Sequence, residues 1–275
     1  KHAAIDYNGE NPFATGHLSL EQSGSNTLIK FDADGSSGND HNQKTIAILE
    51  NVSKASLVGN GEIIGTDKDD YFYGQEGEYT YTFGKGRDVI DYSKLNESIT
   101  LTRGGIVNKG TLGKDIFTDF YEEIIATSFN NDWIDGLTGG GQLAKLDINL
   151  EKESLTVSNL PGGLEFTAKV RGFENIQGSD NSDQITGNKT NNILKGNGGD
   201  DHIDSKGGDN TLLGGDGNDS LTVGEGINIV DGGEGEDTLN LNFNKNDYKI
   251  TKEKDEITYK HKEGLGKTII KNIEK

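Results

Sequence analysis

The sequence contains no cysteine, no methionine and only two prolines among its 275 residues. Without cysteine, neither a disulfide framework nor a thiolate metal site can form. Hydrophobic residues make up only 31% of the chain, so we expect something other than apolar burial to contribute to the fold. Because methionine is absent, we expect the chain to be a processed form or a part of a longer protein.

Basic residues are also scarce relative to acidic ones. The chain has 27 Lys and Arg against 46 Asp and Glu, which gives a net charge of −19. This charge excludes nucleic acid as a partner, because nucleic-acid binders carry a basic surface, and it disfavours an anionic lipid surface. No apolar run is long enough for a transmembrane segment. Self-repulsion should oppose compaction of the chain until cations bind.

Glycine is abundant, with 40 residues, and much of it lies in a repeat of nine residues. Seven units follow one another from Gly178 to Asn240 without an insertion. Their first six positions are rich in Gly, Asn and Asp, which favour tight turns, and the last three suit a very short strand whose middle residue points inward. These middle residues are all branched and aliphatic: Ile185, Leu194, Ile203, Leu212, Leu221, Val230 and Leu239. Two turns and two strands make one coil, and stacked coils predict a right-handed parallel β-roll.

The units resemble the G-G-x-G-x-D-x-U-x nonapeptide of the RTX (repeats-in-toxin), or hemolysin-type, calcium-binding family. Within that family the chain resembles cyanobacterial-type RTX surface proteins. The resemblance implies an all-β fold, a roll loaded with several Ca²⁺ ions, and export by a type I secretion system.

The sixth position of the units carries the candidate metal ligands. Asp and Asn alternate there strictly, as Asp183, Asn192, Asp201, Asn210, Asp219, Asn228 and Asp237. Successive turns lie on opposite sides of a roll, so the aspartates should stack on one side and the asparagines on the other. Calcium takes carboxylate and carbonyl oxygens, so we predict one ion in each of the three gaps between Asp turns and fewer ions on the Asn side. The predicted carbonyl ligands are Gly178, Asp180, Gly196, Gly198, Gly214, Asp216, Gly232 and Glu234.

Weaker copies of the repeat occur upstream, at residues 65–91 and 127–135, with Asp70, Asp88 and Asp132 at sixth positions. We predict that these three carboxylates also bind metal and stack on the side of Asp183. The chain then divides into a strand-rich unit (1–60), a roll (61–240, with repeats at 65–91, 127–135 and 178–240), and an antiparallel β cap (241–275). Within the roll, residues 92–126 and 136–177 are excursions of β-structure. Two separate rolls are the alternative, and Asp32, Asp34 and Asp40 fit either a solvated turn or an ion site.

Catalytic motifs are absent from the sequence. It contains no HExxH zinc motif and no GxSxG nucleophile elbow. We therefore predict no enzymatic activity, and a calcium-dependent structural module of a secreted, extracellular or cell-surface protein, such as a surface layer or an adhesin. The candidate partners besides calcium ions are neighbouring copies and other surface proteins. The alternative is an accessory or secretion domain of an exported protease, lipase or polysaccharide epimerase.

Overall fold

The computed structural model describes residues 18–23, 26–31, 44–49, 61–138, 144–242, 244–253, 256–264 and 266–271. These residues form an all-β fold of three sheets, with two short 3₁₀ helices at Gly110–Leu112 and Lys245–Asp247. No helix among them has the length and apolar character needed to cross a membrane. Asp32, Asp34 and Asp40 lie outside the described residues.

The first sheet is a small antiparallel one near the N-terminus. Its strands are β1 (Leu18–Ser23), β2 (Asn26–Phe31) and β3 (Lys44–Leu49), paired in chain order.

A second sheet has thirteen strands. In spatial order they are β24 (Tyr248–Glu253), β25 (Glu256–His261), β26 (Gly266–Lys271), β22 (Gly226–Glu234), β20 (Thr211–Asp216), β18 (Ile193–Gly198), β16 (Asn175–Gln177), β12 (Trp133–Asp135), β8 (Thr100–Thr102), β9 (Ile106–Asn108), β10 (Lys114–Phe117), β6 (Tyr79–Thr82) and β4 (Gly61–Ile64).

A third sheet has ten strands. In spatial order they are β23 (Thr238–Leu241), β21 (Ser220–Val223), β19 (His202–Asp204), β17 (Gln184–Thr186), β13 (Lys145–Asn149), β14 (Ser154–Leu160), β15 (Leu164–Arg171), β11 (Glu123–Ile125), β7 (Val89–Asp91) and β5 (Tyr71–Tyr73).

The C-terminal coils alternate between these two sheets, and the parallel β-roll predicted from the sequence is confirmed. Strands β17, β19, β21 and β23 pair in parallel in the ten-stranded sheet, and β18, β20 and β22 do so in the thirteen-stranded sheet. The inward residues from Ile185 to Val230 are fully buried in two facing rows, one on each sheet, and Leu239 is partly buried. Strand β26 pairs in parallel with β22, and β24 to β26 are antiparallel, so the C-terminal strands continue the thirteen-stranded sheet.

Antiparallel strands are inserted into both sheets between the repeats. Strand β9 pairs antiparallel with β8 and β10 in the thirteen-stranded sheet, and β14 pairs antiparallel with β13 and β15 in the ten-stranded sheet. Parallel pairing resumes on either side of each insertion, for example between β10 and β6 and between β13 and β17. Aromatic side chains fill the N-terminal interior, and an apolar cavity of about 410 Å³ lies between the inserted strands.

The placement of Asp132 beside Asp183 was wrong. Strand β12, which follows Asp132, pairs with β8 and β16 in the thirteen-stranded sheet, whereas Asp183 precedes β17 in the ten-stranded sheet. The chain alternates between the sheets, and β11 (Glu123–Ile125) already occupies the ten-stranded sheet before β12 begins. Asp132 therefore lies on the side of Asn192, while Asp70 and Asp88 precede strands of the ten-stranded sheet.

Candidate metal sites

A ladder of hydrogen bonds holds the aspartates of the C-terminal coils in line. The backbone N–H of Asp183 donates to Oδ1 of Asp201 at 2.7 Å, that of Asp201 to Oδ1 of Asp219 at 2.8 Å, and that of Asp219 to Oδ1 of Asp237 at 2.9 Å. One oxygen of each acceptor carboxylate is thereby fixed to the preceding Asp turn. The orientation of its second oxygen, Oδ2, is set by the same contact.

The second oxygens of three aspartates have no protein donor. Oδ2 of Asp201, Asp219 and Asp237 is buried and accepts no hydrogen bond. Solvent does not reach these atoms either, because the three residues are only 2%, 2% and 6% exposed. Buried polar atoms are almost always paired, because leaving one unpaired costs about 1–3 kcal/mol. These three oxygens are consequently the candidate cation ligands of the roll.

The first-position glycines allow these oxygens to approach the backbone closely. A Cβ built on Gly196 would lie 2.1 Å from Oδ2 of Asp201 and 2.5 Å from the carbonyl oxygen of Gly214. On Gly214 it would lie 2.2 Å from Oδ2 of Asp219 and 2.3 Å from the carbonyl oxygen of Gly232. At both places a carboxylate oxygen and a carbonyl oxygen of the next Asp turn converge, which is the donor set that calcium prefers.

The third-position carbonyls have a different surrounding. The carbonyl oxygens of Asp216 and Glu234 accept hydrogen bonds of 2.8 Å from the N–H groups of Gly199 and Gly217. These bonds hold neighbouring Asp turns together. A role in metal binding for Asp216 and Glu234, and for the equivalent Asp180 and Gly198, stays a prediction.

Asp183 differs from the three aspartates that follow it. Its Oδ2 accepts hydrogen bonds from the backbone N–H of Ser179 at 2.6 Å and from the Ser179 hydroxyl at 2.9 Å. The Gly178 carbonyl, also a predicted ligand, accepts one from Nδ2 of Asn197 at 2.8 Å. In the first of the three predicted gaps, between the turns of Asp183 and Asp201, protein donors thus already satisfy the oxygens of Asp183 and Gly178. The carbonyl oxygen of Gly196 also lies near this gap.

Two upstream aspartates are satisfied in the same way. Oδ2 of Asp70 accepts from the N–H and the hydroxyl of Thr66 at 2.6 and 3.0 Å. Oδ2 of Asp132 accepts from the N–H and the hydroxyl of Thr127 at 3.0 and 2.7 Å. Oδ1 of Asp88 continues the ladder, because it accepts from the N–H of Asp70 at 2.9 Å.

Sequence reasoning missed three acidic residues that take the sixth-position role. Oε2 of Glu122 accepts from the N–H of Asp88 at 2.6 Å, Oε2 of Glu174 from that of Asp132 at 2.9 Å, and Oδ1 of Asp115 from that of Tyr79 at 3.2 Å. Each lies two residues before a buried inward residue: Ile124, Ile176 and Phe117. That spacing was the available signal, and GTLGKDIFT (110–118) is itself a degenerate copy of the nonapeptide.

On the opposite side of the roll the asparagines satisfy one another. Asn210 Oδ1 accepts from the N–H of Asn192 at 2.8 Å, as in the Asp ladder. Asn210 Nδ2 donates to the carbonyls of Gly207 and Gly208 and to Oδ1 of Asn228, at 2.9–3.0 Å. Asn228 Nδ2 donates to the Gly224 carbonyl at 3.2 Å. The amide group thus donates to turn carbonyls, where a cation would otherwise be needed.

Burial disfavours the ionised form of the aspartates on the Asp side. Together with a smaller contribution from neighbouring carboxylates, and against an opposing backbone hydrogen bond, it raises the pKa of Asp201 to about 8 and that of Asp219 to about 6. The pKa of Asp183 is also raised by burial, although the hydrogen bonds from Ser179 and Leu146 oppose the shift. A bound cation would remove this penalty on the ionised form.

Three or more His, Asp or Glu side chains never come together as a metal-binding group in the described residues. An ion beside Gly196 or Gly214 would therefore depend on one or two carboxylates and on backbone carbonyls. Such a site exists only when neighbouring turns are stacked, so binding of the ion and folding of the coils are coupled.

The comparison with known families agrees with this geometry. Residues 58–90, 177–212 and 213–243 match the RTX calcium-binding nonapeptide repeat. The chain carries RTX repeats. These repeats bind Ca²⁺, and calcium is the ion of this roll. RTX-repeat domains are generally structural, and the proteins that contain them are typically secreted by type I secretion.

Among solved structures, the chain is similar to the extracellular lipase LipA from Serratia marcescens. The sequence identity is 14%, the TM-score is 0.23, and the match covers 82% of this chain and 39% of the LipA chain. The chain thus spans well under half the length of that protein. No curated protein matches the chain.

Acid should partly replace calcium in the RTX coils. The pKa of Asp201 and Asp219 is raised in the metal-free fold, so their contribution to stability is present at low pH and is lost as the pH rises through about 6 to 8. In EDTA, lowering the pH from 7.5 to 5.5 should increase the folded fraction. Protonation of Asp201 should raise the folding equilibrium constant by about tenfold for each pH unit. Far-UV circular dichroism measures this. Asp201→Asn should weaken the response, and a β signal that falls on acidification would contradict it.

Proposed function

We propose that this chain is a calcium-dependent structural module of an exported, cell-surface protein, such as a surface layer or an adhesin, that folds when calcium binds outside the cell. The observation that carries the proposal is the column of unpaired, buried Oδ2 atoms of Asp201, Asp219 and Asp237. No protein donor satisfies these oxygens, so the coils that contain them require an ion that the surroundings supply.

The strength expected of such sites fits export. Extracellular calcium modules bind with dissociation constants of about 10⁻⁴–10⁻³ M, and sites of one or two carboxylates with backbone carbonyls belong at that weak end. At cytosolic calcium concentrations, the unpaired carboxylates of a chain with a net charge of −19 then have no calcium ion bound. The chain binds calcium ions in a medium that contains millimolar calcium, after passage through the secretion channel.

In this proposal the roll binds two calcium ions, one beside Gly196 and one beside Gly214. Asp201 and Asp219 are their principal carboxylate ligands, and the carbonyls of Gly214 and Gly232 are additional ligands. Asp237 precedes β23, the edge strand of the ten-stranded sheet, so its Oδ2 is placed at the end of the column. Because Asp70, Asp132 and Asp183 already have hydroxyl and N–H donors, they are placed outside the ion-binding set.

Limited proteolysis on intact producing cells tests the proposed function. With an antibody against residues 178–240, the full protein should be detected at the cell surface in millimolar calcium and resist added trypsin. After a wash with EDTA, the same epitope region should be cleaved. Retention of the protein inside cells, or trypsin resistance that EDTA does not change, would contradict the proposal. A hydrolytic activity that copurifies with the same polypeptide would favour an accessory domain of an exported enzyme.

A further inference from the structure

The N-terminal part of the roll contains a buried ion pair. Lys109 and Asp115 side chains are both fully buried. The Lys109 ammonium donates a hydrogen bond to Oδ1 of Asp115, and a second one of 2.6 Å to the carbonyl oxygen of Gln75. Lys109 follows strand β9, and Asp115 lies in β10. Breaking such a pair by removing one partner is strongly destabilising, because the other charge stays buried.

This pair occupies the sixth position of a repeat unit, on the thirteen-stranded side of the roll that also carries Asn192, Asn210 and Asn228. Tyr79 is the sixth residue of the unit GQEGEYTYT, the position that Asp201 and Asp219 occupy in their own units. Its N–H donates to Oδ1 of Asp115 at 3.2 Å, which is the ladder bond seen between Asp201 and Asp219. Asp115 also lies opposite Tyr79 in the parallel pairing of β10 with β6. Asp115 is therefore the sixth-position carboxylate of this coil.

The hydrogen-bond donors around Asp115 differ from those around Asp219. Oδ2 of Asp219 has no partner, whereas Oδ2 of Asp115 accepts a hydrogen bond of 2.8 Å from the Tyr92 hydroxyl. The Lys109 ammonium contacts the carboxylate and a carbonyl of the Gln75 turn, and it lies 5.6 Å from the centre of the Tyr79 ring. A carboxylate, a turn carbonyl and one positive charge are thus assembled without an external ion.

We propose that the Lys109 ammonium takes the place of a calcium ion in this coil, so that residues 79–117 fold without metal. The roll then has a metal-independent N-terminal part and a calcium-dependent C-terminal part. This inference goes beyond the proposed function, because it assigns a different cation to each part of the same fold.

Two further features of the N-terminal part agree with this division. The Thr66 and Thr127 donors satisfy Asp70 and Asp132 as described above. The interior there is also a cluster of aromatic rings, with Phe83 and Phe117 centroids 5.0 Å apart. The C-terminal coils from Gly178 to Asn240 have two facing rows of aliphatic residues and no aromatic residue, so each coil gains less from apolar burial.

Hydrogen exchange of the full chain, followed by mass spectrometry, tests the inference. In EDTA, peptides that cover residues 79–117 should be protected, while those that cover 202–241 exchange rapidly until calcium is added. Lys109→Ala should increase exchange of 79–117 in EDTA by about a hundredfold or more. Because the vacated space is lined by the Asp115 carboxylate and the Gln75 carbonyl, millimolar calcium should restore protection to this variant.

Two variants serve as controls. Lys114→Ala removes an exposed lysine of β10 and should leave exchange of 79–117 unchanged. The double variant Lys109→Met, Asp115→Asn leaves no buried charge at these two positions, and it should be protected with or without calcium. Wild-type peptides of 79–117 that exchange in EDTA as fast as those of 202–241 would overturn the inference. It would also be overturned if calcium failed to restore protection to Lys109→Ala, since Lys109 would then be an ordinary buried ion-pair partner. Calcium-dependent protection of 202–241 is read independently and tests the proposed function.

Discussion

Asp219→Ala is expected to unfold the C-terminal coils at 1 mM calcium, whereas Asp219→Asn should leave them folded with one ion fewer. Alanine removes both the ligand of the proposed ion beside Gly214 and the acceptor of the Asp201 N–H. Asparagine keeps the acceptor. Its Nδ2 can donate to turn carbonyls, as Asn210 does on the opposite side.

Equilibrium dialysis and calcium titrations followed by circular dichroism distinguish these variants. For Asp219→Ala the calcium concentration at the midpoint of folding should rise by about tenfold or more, since the binding of an ion contributes about 1.4–2.7 kcal/mol when its concentration is 10–100 times Kd. The control is Asn210→Ala, which should lower stability through lost hydrogen bonds but leave the number of bound ions unchanged. An Asp219→Asn protein that binds as many ions as the wild type would contradict the assignment.

Gly214→Ala is the second substitution with a large expected effect. The added Cβ would lie 2.2 Å from Oδ2 of Asp219 and 2.3 Å from the Gly232 carbonyl oxygen. It would therefore clash with both oxygens that would hold the proposed ion, and the stacked Asp turns would have to separate. We expect loss of one ion and a rise of about tenfold in the calcium concentration needed for folding.

Gly207→Ala is the matched control, because it makes the same chemical change on the Asn side. The nearest atom to its added Cβ is Cα of Lys189 at 3.7 Å, an ordinary contact. Both substitutions also reduce the entropy of the unfolded chain in the same way. The two calcium titrations should thus differ clearly, and equal midpoints would show that the space beside Gly214 is not an ion site.

The regular part of the fold follows directly from the sequence. A period of nine with an aliphatic eighth position specifies short strands that alternate between two sheets, and the buried row from Ile185 to Val230 is what the period predicts. The strict alternation of Asp and Asn likewise predicts two chemically different sides. Both inferences succeed because no residue is inserted between Gly178 and Asn240.

The irregular part does not follow from the period. Whether Asp132 lies on one side or the other depends on how many strands separate it from Asp88, and the inserted strands β8 to β11 change that number. The nonapeptide copy at 127–135 contains no such information. Long-range pairing, not local sequence, therefore decides the side of the roll.

The distinction between satisfied and unpaired aspartates was also hidden in the sequence. Asp183 and Asp201 occupy the same position of the repeat, yet Ser179 supplies an N–H and a hydroxyl to the first, while Asn197 stands at the corresponding place before the second. The residue at the second position of the unit, through its N–H and its hydroxyl, thus distinguishes the satisfied carboxylate from the unpaired one. Asp115 was missed for a related reason, because its coil begins within an excursion.

The positions of the bound ions test the central claim most directly. Crystals grown in millimolar calcium should show anomalous difference density beside Gly196 and Gly214, along the column of Asp201, Asp219 and Asp237. No such density should appear along Asn192, Asn210 and Asn228, or between Lys109 and Asp115. Equal calcium density on the Asp and Asn sides, or none beside Gly196 and Gly214, would contradict the account.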